Sequence, residues 1–90
     1  MKLTEAKWEE DELLMGACKR TIKKIADDAK DLFRLQDIQE PKQNLRDMVL
    51  FAKMVHGICV DAMPNTYGEN QNAVRHLMND AELFYENMEV

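Results

Sequence analysis

The spacing of the apolar residues constrains this chain more than any other feature. They recur every three or four positions in three runs, which are divided by Glu40-Pro41 and by the stretch from Pro64 to Asn72. Apolar side chains at this interval line one side of an α-helix, and proline interrupts helices because it lacks an amide hydrogen. The sequence therefore predicts an all-α bundle of three long helices, in a single domain that spans residues 1–90.

The first predicted helix begins with Thr4 as its N-cap and extends to about Leu35. Gly16 lies inside it, and glycine costs about 1 kcal/mol relative to alanine in a helix. The helix could bend there, which would give four helices in place of three. Without a bend it would be about 45 Å long, and the other helices would be too short to cover it.

The second predicted helix extends from Pro41 to about Ala62. Its apolar residues cover more than one face, so that only Arg46, Lys53 and Asp61 give it a polar side. A helix of this kind is covered on two sides by other helices or by a second subunit. Together with the excess length of the first helix, this predicts that homodimerisation completes the bundle.

The third predicted helix begins with Asn70 or Asn72 as its N-cap, after a loop of turn-forming residues. Its apolar residues recur along one face of the helix. The residues on that face are Val74, Leu77, Met78, Ala81, Phe84, Tyr85 and Met88.

Composition excludes several classes of function. A net charge of −5 disfavours nucleic acid and anionic membranes as direct partners, because binding to them depends on neutralising phosphates with lysine and arginine. The chain contains no serine, which excludes a serine nucleophile. No apolar stretch reaches the roughly 18 residues of a membrane span, and the N-terminus does not resemble a signal peptide, so the cytoplasm is the predicted location.

The two cysteines, Cys18 and Cys59, fall at apolar helical positions. We expect buried free thiols, and a disulfide is the alternative if the two helices meet. His56 precedes Cys59 by three residues and could formally act as its base. The favoured interpretation is a packed pair, because no third group nearby orients the histidine.

Trp8 stands out because acidic residues surround it in the sequence. On the predicted helix it lies away from the apolar face that contains Leu14 and Cys18, and close to the side that carries Met15. An aromatic ring beside a methionine, inside an acidic rim, is typical of a protein-binding hot spot. The predicted partner-binding residues are Trp8, Glu9, Glu10, Glu12 and Met15. The alternative is that Trp8 packs internally, either against Leu3 at the helix start or in the core.

A second candidate site is formed by acidic residues. Asp27, Asp28 and Asp31 lie on the first predicted helix, and Asn44 and Asp47 lie near the start of the second. Over roughly residues 20–63 this arrangement resembles the all-α nucleotide pyrophosphatases of the MazG and phosphoribosyl-ATP pyrophosphatase kind, whose pattern is Glu-Glu-x-x-Glu followed by Glu-x-x-Asp. The resemblance implies a dimeric, Mg²⁺-dependent enzyme with Asp28, Asp31 and Asp47 as metal ligands. The chain departs from that pattern with three aspartates in the first block and Asn44 in the second.

The same acids also have a structural interpretation. Lys23 lies four residues before Asp27 and Lys24 four before Asp28, a spacing at which opposite charges stabilise a helix by about 0.2–0.5 kcal/mol. An acid in the first turn of a helix, such as Asp47, is favoured by the helix dipole. The basic arc of Lys19, Arg20, Lys23 and Lys24 could bind a phosphate or an acidic partner, but neutralising these acids is the favoured interpretation.

The favoured prediction is therefore a small acidic interaction protein without catalytic residues or a cofactor, which forms a homodimer and binds a protein partner that it regulates or inhibits. The alternative is a divergent MazG-like nucleoside triphosphate pyrophosphatase that uses Mg²⁺. The two differ in whether Asp28, Asp31 and Asp47 converge on a metal ion.

Overall fold

Three α-helices make up the fold in the computed structural model, which describes residues 8, 10–35, 37–39, 41 and 44–88. They are α1 (Glu12–Phe33), α2 (Leu45–Ala62) and α3 (Gly68–Asn87), with one turn of 3₁₀-helix at Met63–Asn65. All regular structure in this part of the chain is helical. The predicted all-α class, with three helices packed together, is confirmed.

Helix α1 begins at Glu12, although Trp8 and Glu10, which precede it, are also helical. Asp11 has an extended backbone and is the N-cap, and its Oδ1 accepts a hydrogen bond from the amide of Leu14 at 3.0 Å. Helix α1 then continues through Gly16 without interruption. The predicted N-cap, Thr4, lies outside the described residues. Because α1 has 22 residues, against 18 in α2 and 20 in α3, its length no longer argues for a dimer.

Helix α2 begins at Leu45, and the prediction that Pro41 starts it is wrong. Asn44 is the N-cap, because its Oδ1 accepts the amide of Asp47 at 2.8 Å. The Nδ2 of Asn44 in turn donates to the Asp47 carboxylate at 3.1 Å. These reciprocal bonds satisfy one amide of the first turn and place a negative charge at the positive end of the helix.

The start of α3 also differs from the prediction, since α3 begins at Gly68 and not after Asn70 or Asn72. Tyr67 is the N-cap in an extended conformation and makes no side-chain capping bond. Gly68 has a φ of +60°, a value that glycine adopts without the steric cost other residues incur. The same left-handed region is occupied by Arg34 at the C-cap of α1, with a φ of 56°, where a non-glycine residue is strained.

The directions of the helices follow from contacts along α3. Cys18 Sγ lies 3.8 Å from Met88 Sδ, and Lys24 Nζ lies 3.3 Å from Asp80, so α1 and α3 are antiparallel. Helix α2 leads into α3 through the short turn at Met63–Asn65 and is also antiparallel to it. Helices α1 and α2 therefore point in broadly the same direction.

This topology requires a long connection between α1 and α2, where the sequence predicts only a turn. The eleven residues from Arg34 to Asn44 can span at most about 40 Å, enough to return along α2, which is about 27 Å long. Ile38 packs against the core on the way. At Ile38, the connection therefore contributes to the bundle.

The core lies where α3 packs against the other two helices, most extensively against α2. Its buried members are Trp8, Cys18, Ile22, Ile25, Ala26, Ala29, Leu45, Met48, Val49, Phe51, Ala52, Val55, Cys59, Val74, Leu77, Ala81 and Phe84. All of them except Trp8 lie three or four residues from another buried member of the same helix. Burial of each large aliphatic side chain stabilises the fold by about 1.5–3 kcal/mol, so this interior dominates the stability.

Both thiols are free and buried, Cys18 at 2% exposure and Cys59 at 0%. Burial disfavours the thiolate, because the charge would lose its hydration. It raises the pKa of Cys18, and it raises the pKa of Cys59 from 9.0 to about 11. Cys59 is therefore protonated at neutral pH and contributes to the core as a small apolar residue.

The raised pKa of Cys59 predicts a loss of stability in alkali. Between pH 9.0 and about 11 the unfolded chain releases the Cys59 proton while the folded chain keeps it, so the free energy of unfolding falls as pH rises through this window. The slope from this group is at most about 1.4 kcal/mol per pH unit. Urea denaturation at about pH 8 and about pH 10.5 should show a larger fall for the wild type than for Cys59→Ala. Equal falls would show that Cys59 ionises normally in the fold.

Candidate partner-binding groove

A solvent-open groove lies at the seam of α1 and α3. It consists of two depressions with volumes of about 440 and 380 Å³, and Lys24 and Asp80 line both. We call this feature the α1–α3 groove. The two depressions adjoin at the Lys24–Asp80 ion pair, which crosses the seam from α1 to α3, and we refer to them as the two halves of the groove.

One half of the groove is mainly apolar. Its principal apolar lining residues are Leu14, Ala17, Cys18, Leu83, Phe84 and Met88. Phe84 is buried, but Leu83 is 59% exposed and lies at the edge of the groove. A large aliphatic side chain left this open beside a groove is available for contact with another molecule.

The other half of the groove is acidic. Asp28, Asp31 and Asp80 line it together with His76. Lys24 lies at its boundary and donates to Asp28 at 2.9 Å and to Asp80 at 3.3 Å. These two hydrogen bonds, with the Asp28 bond the larger cause, raise the pKa of Lys24. One lysine against three carboxylates leaves this half with an excess of negative charge.

The third predicted metal ligand, Asp47, does not line the groove. It is exposed at the start of α2, where it is hydrogen-bonded to Asn44. Among the described residues, no group of three or more His, Cys, Asp or Glu side chains is arranged to hold a metal ion. The structure thus brings Asp28 and Asp31 together with Asp80, and not with Asp47.

The charged residues of α1 form the ion pairs that their spacing predicts. Lys23 lies 3.4 Å from Asp27, and Lys24 lies 2.9 Å from Asp28. All four of these side chains are about half exposed or more, so each pair contributes little to stability. All four residues of the basic arc are exposed. Two of them, Lys23 and Lys24, pair with aspartates, so the neutralising interpretation applies directly to these two.

The predicted surface around Trp8 is only partly exposed. Trp8 itself is 2% exposed and belongs to the core cluster, so its indole cannot contact a partner in this conformation. This burial agrees with the alternative that Trp8 packs internally. Met15 is half-buried against the core, and Glu9 lies outside the described residues.

An exposed leucine lies among the acids of this surface. Glu10 and Glu12 are exposed as predicted, and with Asp11 and Leu13 they line a shallow depression. Leu13 is 86% exposed. It precedes Ala17 by four residues, which places it on the side of α1 that lines the apolar half of the groove. The acidic surface and the groove are therefore neighbours.

His56 and Cys59 do not form a nucleophile and base. The ring of His56 packs edge-on against Tyr85, with ring centres 5.6 Å apart. The Cys59 thiol, with its pKa raised to about 11, has a negligible thiolate population at neutral pH. The arrangement is that of a packed pair.

The sequence does not single out the residues that α3 contributes to the groove. Leu83 is the clearest of them, because a large apolar residue on the polar side of a helix is a visible signal. Asp80 and His76 carry no such signal, because a polar residue on the solvent side of a helix is ordinary. Only the packing of α3 against α1 places these residues beside Asp28 and Asp31.

Comparisons of this chain with family models, curated proteins and solved structures found no match. Of the described helices, none combines the length and the apolar character needed to cross a membrane. The groove and the exposed residues of the chain are therefore the features that bear on its function.

The burial of Trp8 predicts that it contributes mainly to stability. Replacing a buried tryptophan by alanine costs about 3–5 kcal/mol, so Trp8→Ala should lower the melting temperature strongly, and Trp8→Phe should lower it less. Leu13→Ala is the matched surface control and should change stability by no more than about 0.5 kcal/mol. An unchanged melting temperature in Trp8→Ala would show that Trp8 is not part of the core.

The position of Asp47 predicts how the chain responds to Mg²⁺. Asp47→Asn removes a charge from the first turn of α2 and should cost at most about 1 kcal/mol. Mg²⁺ should leave the melting temperatures of the wild type and of the variant unchanged. Asp61→Asn, the same charge change at an exposed site of α2, is the control. A melting temperature that Mg²⁺ raises in the wild type but not in Asp47→Asn would indicate a metal site and favour the pyrophosphatase alternative.

Proposed function

We propose that this chain is a small, acidic, non-catalytic interaction protein that binds a protein partner through the α1–α3 groove and regulates or inhibits that partner. The observation that carries the proposal is the groove itself, with an open apolar half next to an acidic half. The free thiols Cys18 and Cys59 fit a reducing compartment, and we propose the cytoplasm.

The shape of the groove favours a protein partner over a small molecule. Its lining extends along α1 from Leu14 to Leu32, a distance of about 27 Å. Small-molecule sites are concave and enclose most of the ligand surface. A groove that is open along this length, with Leu83 exposed at its edge, fits an extended protein segment better.

A second surface supports self-association. The outer face of α2 carries Leu50, Met54 and Val60, which are 55%, 46% and 48% exposed. Gly57 lies among them, and a Cβ atom built there would have no neighbour within 4 Å. A second copy could therefore approach α2 closely. We call Leu50, Met54, Gly57 and Val60 the α2 outer face, and we propose that it forms the homodimer.

The pyrophosphatase alternative draws no support from the geometry. It needs Asp47 beside Asp28 and Asp31, but Asp47 takes part in the N-terminal cap of α2 with Asn44. The carboxylates that do share the groove, Asp28, Asp31 and Asp80, are not among any group of described residues arranged to hold a metal ion. Binding of a protein partner therefore remains the better-supported function.

Two variants should separate partner binding from self-association. Leu83→Glu places a charge at the edge of the groove, and Leu50→Glu places the same charge on the α2 outer face, so each is the control for the other. Wild type and variants would be used as baits in extracts of the source cells, with captured proteins quantified by mass spectrometry. Their masses in solution would be measured by sedimentation equilibrium at tens of micromolar.

We expect Leu83→Glu to remain a dimer and to lose the captured partner, and Leu50→Glu to become a monomer of 10.5 kDa and to keep the partner. A wild type that is monomeric at these concentrations would contradict the dimer. Equal capture by wild type and Leu83→Glu would contradict the groove as the binding site. If the wild type enriches no protein over a control without bait, the proposed function itself is wrong.

A further inference from the structure

We propose that the occupant of the α1–α3 groove is a basic amphipathic helix, with its apolar side chains in the apolar half and its lysines or arginines against Asp28, Asp31 and Asp80. This inference rests on the proposed function and specifies the chemistry of the partner segment. It is carried by the order of the two halves along the groove, apolar toward the start of α1 and acidic toward its end.

The dimensions of the groove are those of a helix-binding site. It lies between two antiparallel helices, and a third helix can pack into the groove between such a pair. A partner helix of about 18 residues would match the 27 Å of the lining. Recognition of this kind uses apolar side chains at positions i, i+3 or i+4, and i+7 of the partner. Leu83 and Phe84 on one wall and Leu14 on the other are placed to contact them.

The charges specify the rest of the partner helix. Lys24 pairs with Asp28 and Asp80, whereas Asp31 is exposed further along the same wall. An incoming lysine or arginine would therefore meet an excess of carboxylates in this half. Arginine could bind a carboxylate through two hydrogen bonds, which adds geometric specificity. The net charge of −5 attracts a basic segment at long range as well.

The order of the two halves also determines where the apolar and the basic residues of the partner helix would lie. Its apolar anchors would lie near Leu14 and Met88, and its basic residues would lie near Asp31 and Ala73. Within the apolar half, Asp80 is the one carboxylate among the lining residues. The proposal therefore requires basic residues at the end of the partner helix that lies beside Asp31.

Three synthetic helical peptides of about 18 residues would test this chemistry. They share one apolar face and differ only at the polar positions of one end, which are lysine, glutamine or glutamate. Binding to the full-length protein would be measured by fluorescence anisotropy, and the contact surface would be mapped by ¹⁵N–¹H correlation spectra. Asp31→Asn removes one groove carboxylate, and Asp61→Asn on α2 is the matched control for net charge.

We expect the lysine peptide to bind roughly tenfold or more tightly than the glutamate peptide, with the glutamine peptide between them. Spectral changes should be confined to residues that line the groove. Asp31→Asn should weaken the lysine peptide by about threefold, whereas Asp61→Asn should leave its affinity unchanged. The difference between the peptides should shrink as salt is added.

Equal binding of all three peptides at the groove would overturn the basic character of the occupant, while the groove would remain a helix-binding site. Binding of the lysine peptide elsewhere, or binding of no peptide, would overturn the inference. The capture experiment with Leu83→Glu uses the natural partner and no peptide. Its outcome therefore shows separately whether the proposed function has failed or only the chemistry assigned to the occupant.

Discussion

The fold depends on one helix that is packed against two others. Val74, Leu77, Ala81 and Phe84 line the buried face of α3, and without α3 neither α1 nor α2 would have an antiparallel neighbour. Hydrophobic burial on this face drives the packing because it removes large aliphatic and aromatic surface from water. It also decides which surfaces stay open. The surfaces that remain exposed include the α1–α3 groove and the α2 outer face.

Much of the helical interior could be predicted from the sequence, because burial repeats with the period of the helix. Ile22, Ile25 and Ala29 in α1 and Val74, Leu77 and Ala81 in α3 are all buried where the spacing places them. This agreement arises because three to four residues per turn is a property of the backbone alone. It holds whatever the neighbouring helices are.

Helix starts and helix order were harder to predict, because they depend on competition between residues and on tertiary packing. Pro41 is a good first residue for a helix, but Asn44 can accept an amide hydrogen and so determines the start of α2. Nothing in the spacing of apolar residues indicates that α1 and α2 point the same way. Trp8 illustrates the same limit, since its acidic neighbours suggest a surface site although its ring is buried.

The candidate site could be predicted only in part for a related reason. Asp28 and Asp31 belong to one helix, and their proximity follows from helical spacing. Asp80 belongs to another helix and meets them only through the packing of α3 against α1, which also places Leu83 at the apolar half. The exposed apolar residues of α2, Leu50 among them, are equally hard to identify, because the apolar residues of this helix cover more than one face.

The long connection from Arg34 to Asn44 has a consequence for the order in which the structure assembles and opens. Helices α2 and α3 are neighbours in sequence, so they can form a helical hairpin at a small entropic cost of loop closure. Helix α1 joins them only after a much longer loop is closed, which makes its contacts the non-local ones that slow folding. We expect α1 to form the cooperative unit that separates first in native-state hydrogen exchange. Helix α1, which forms one wall of the groove, would then be the least stable part of the bundle. A bound partner helix would add contacts to α1 and so stabilise that part.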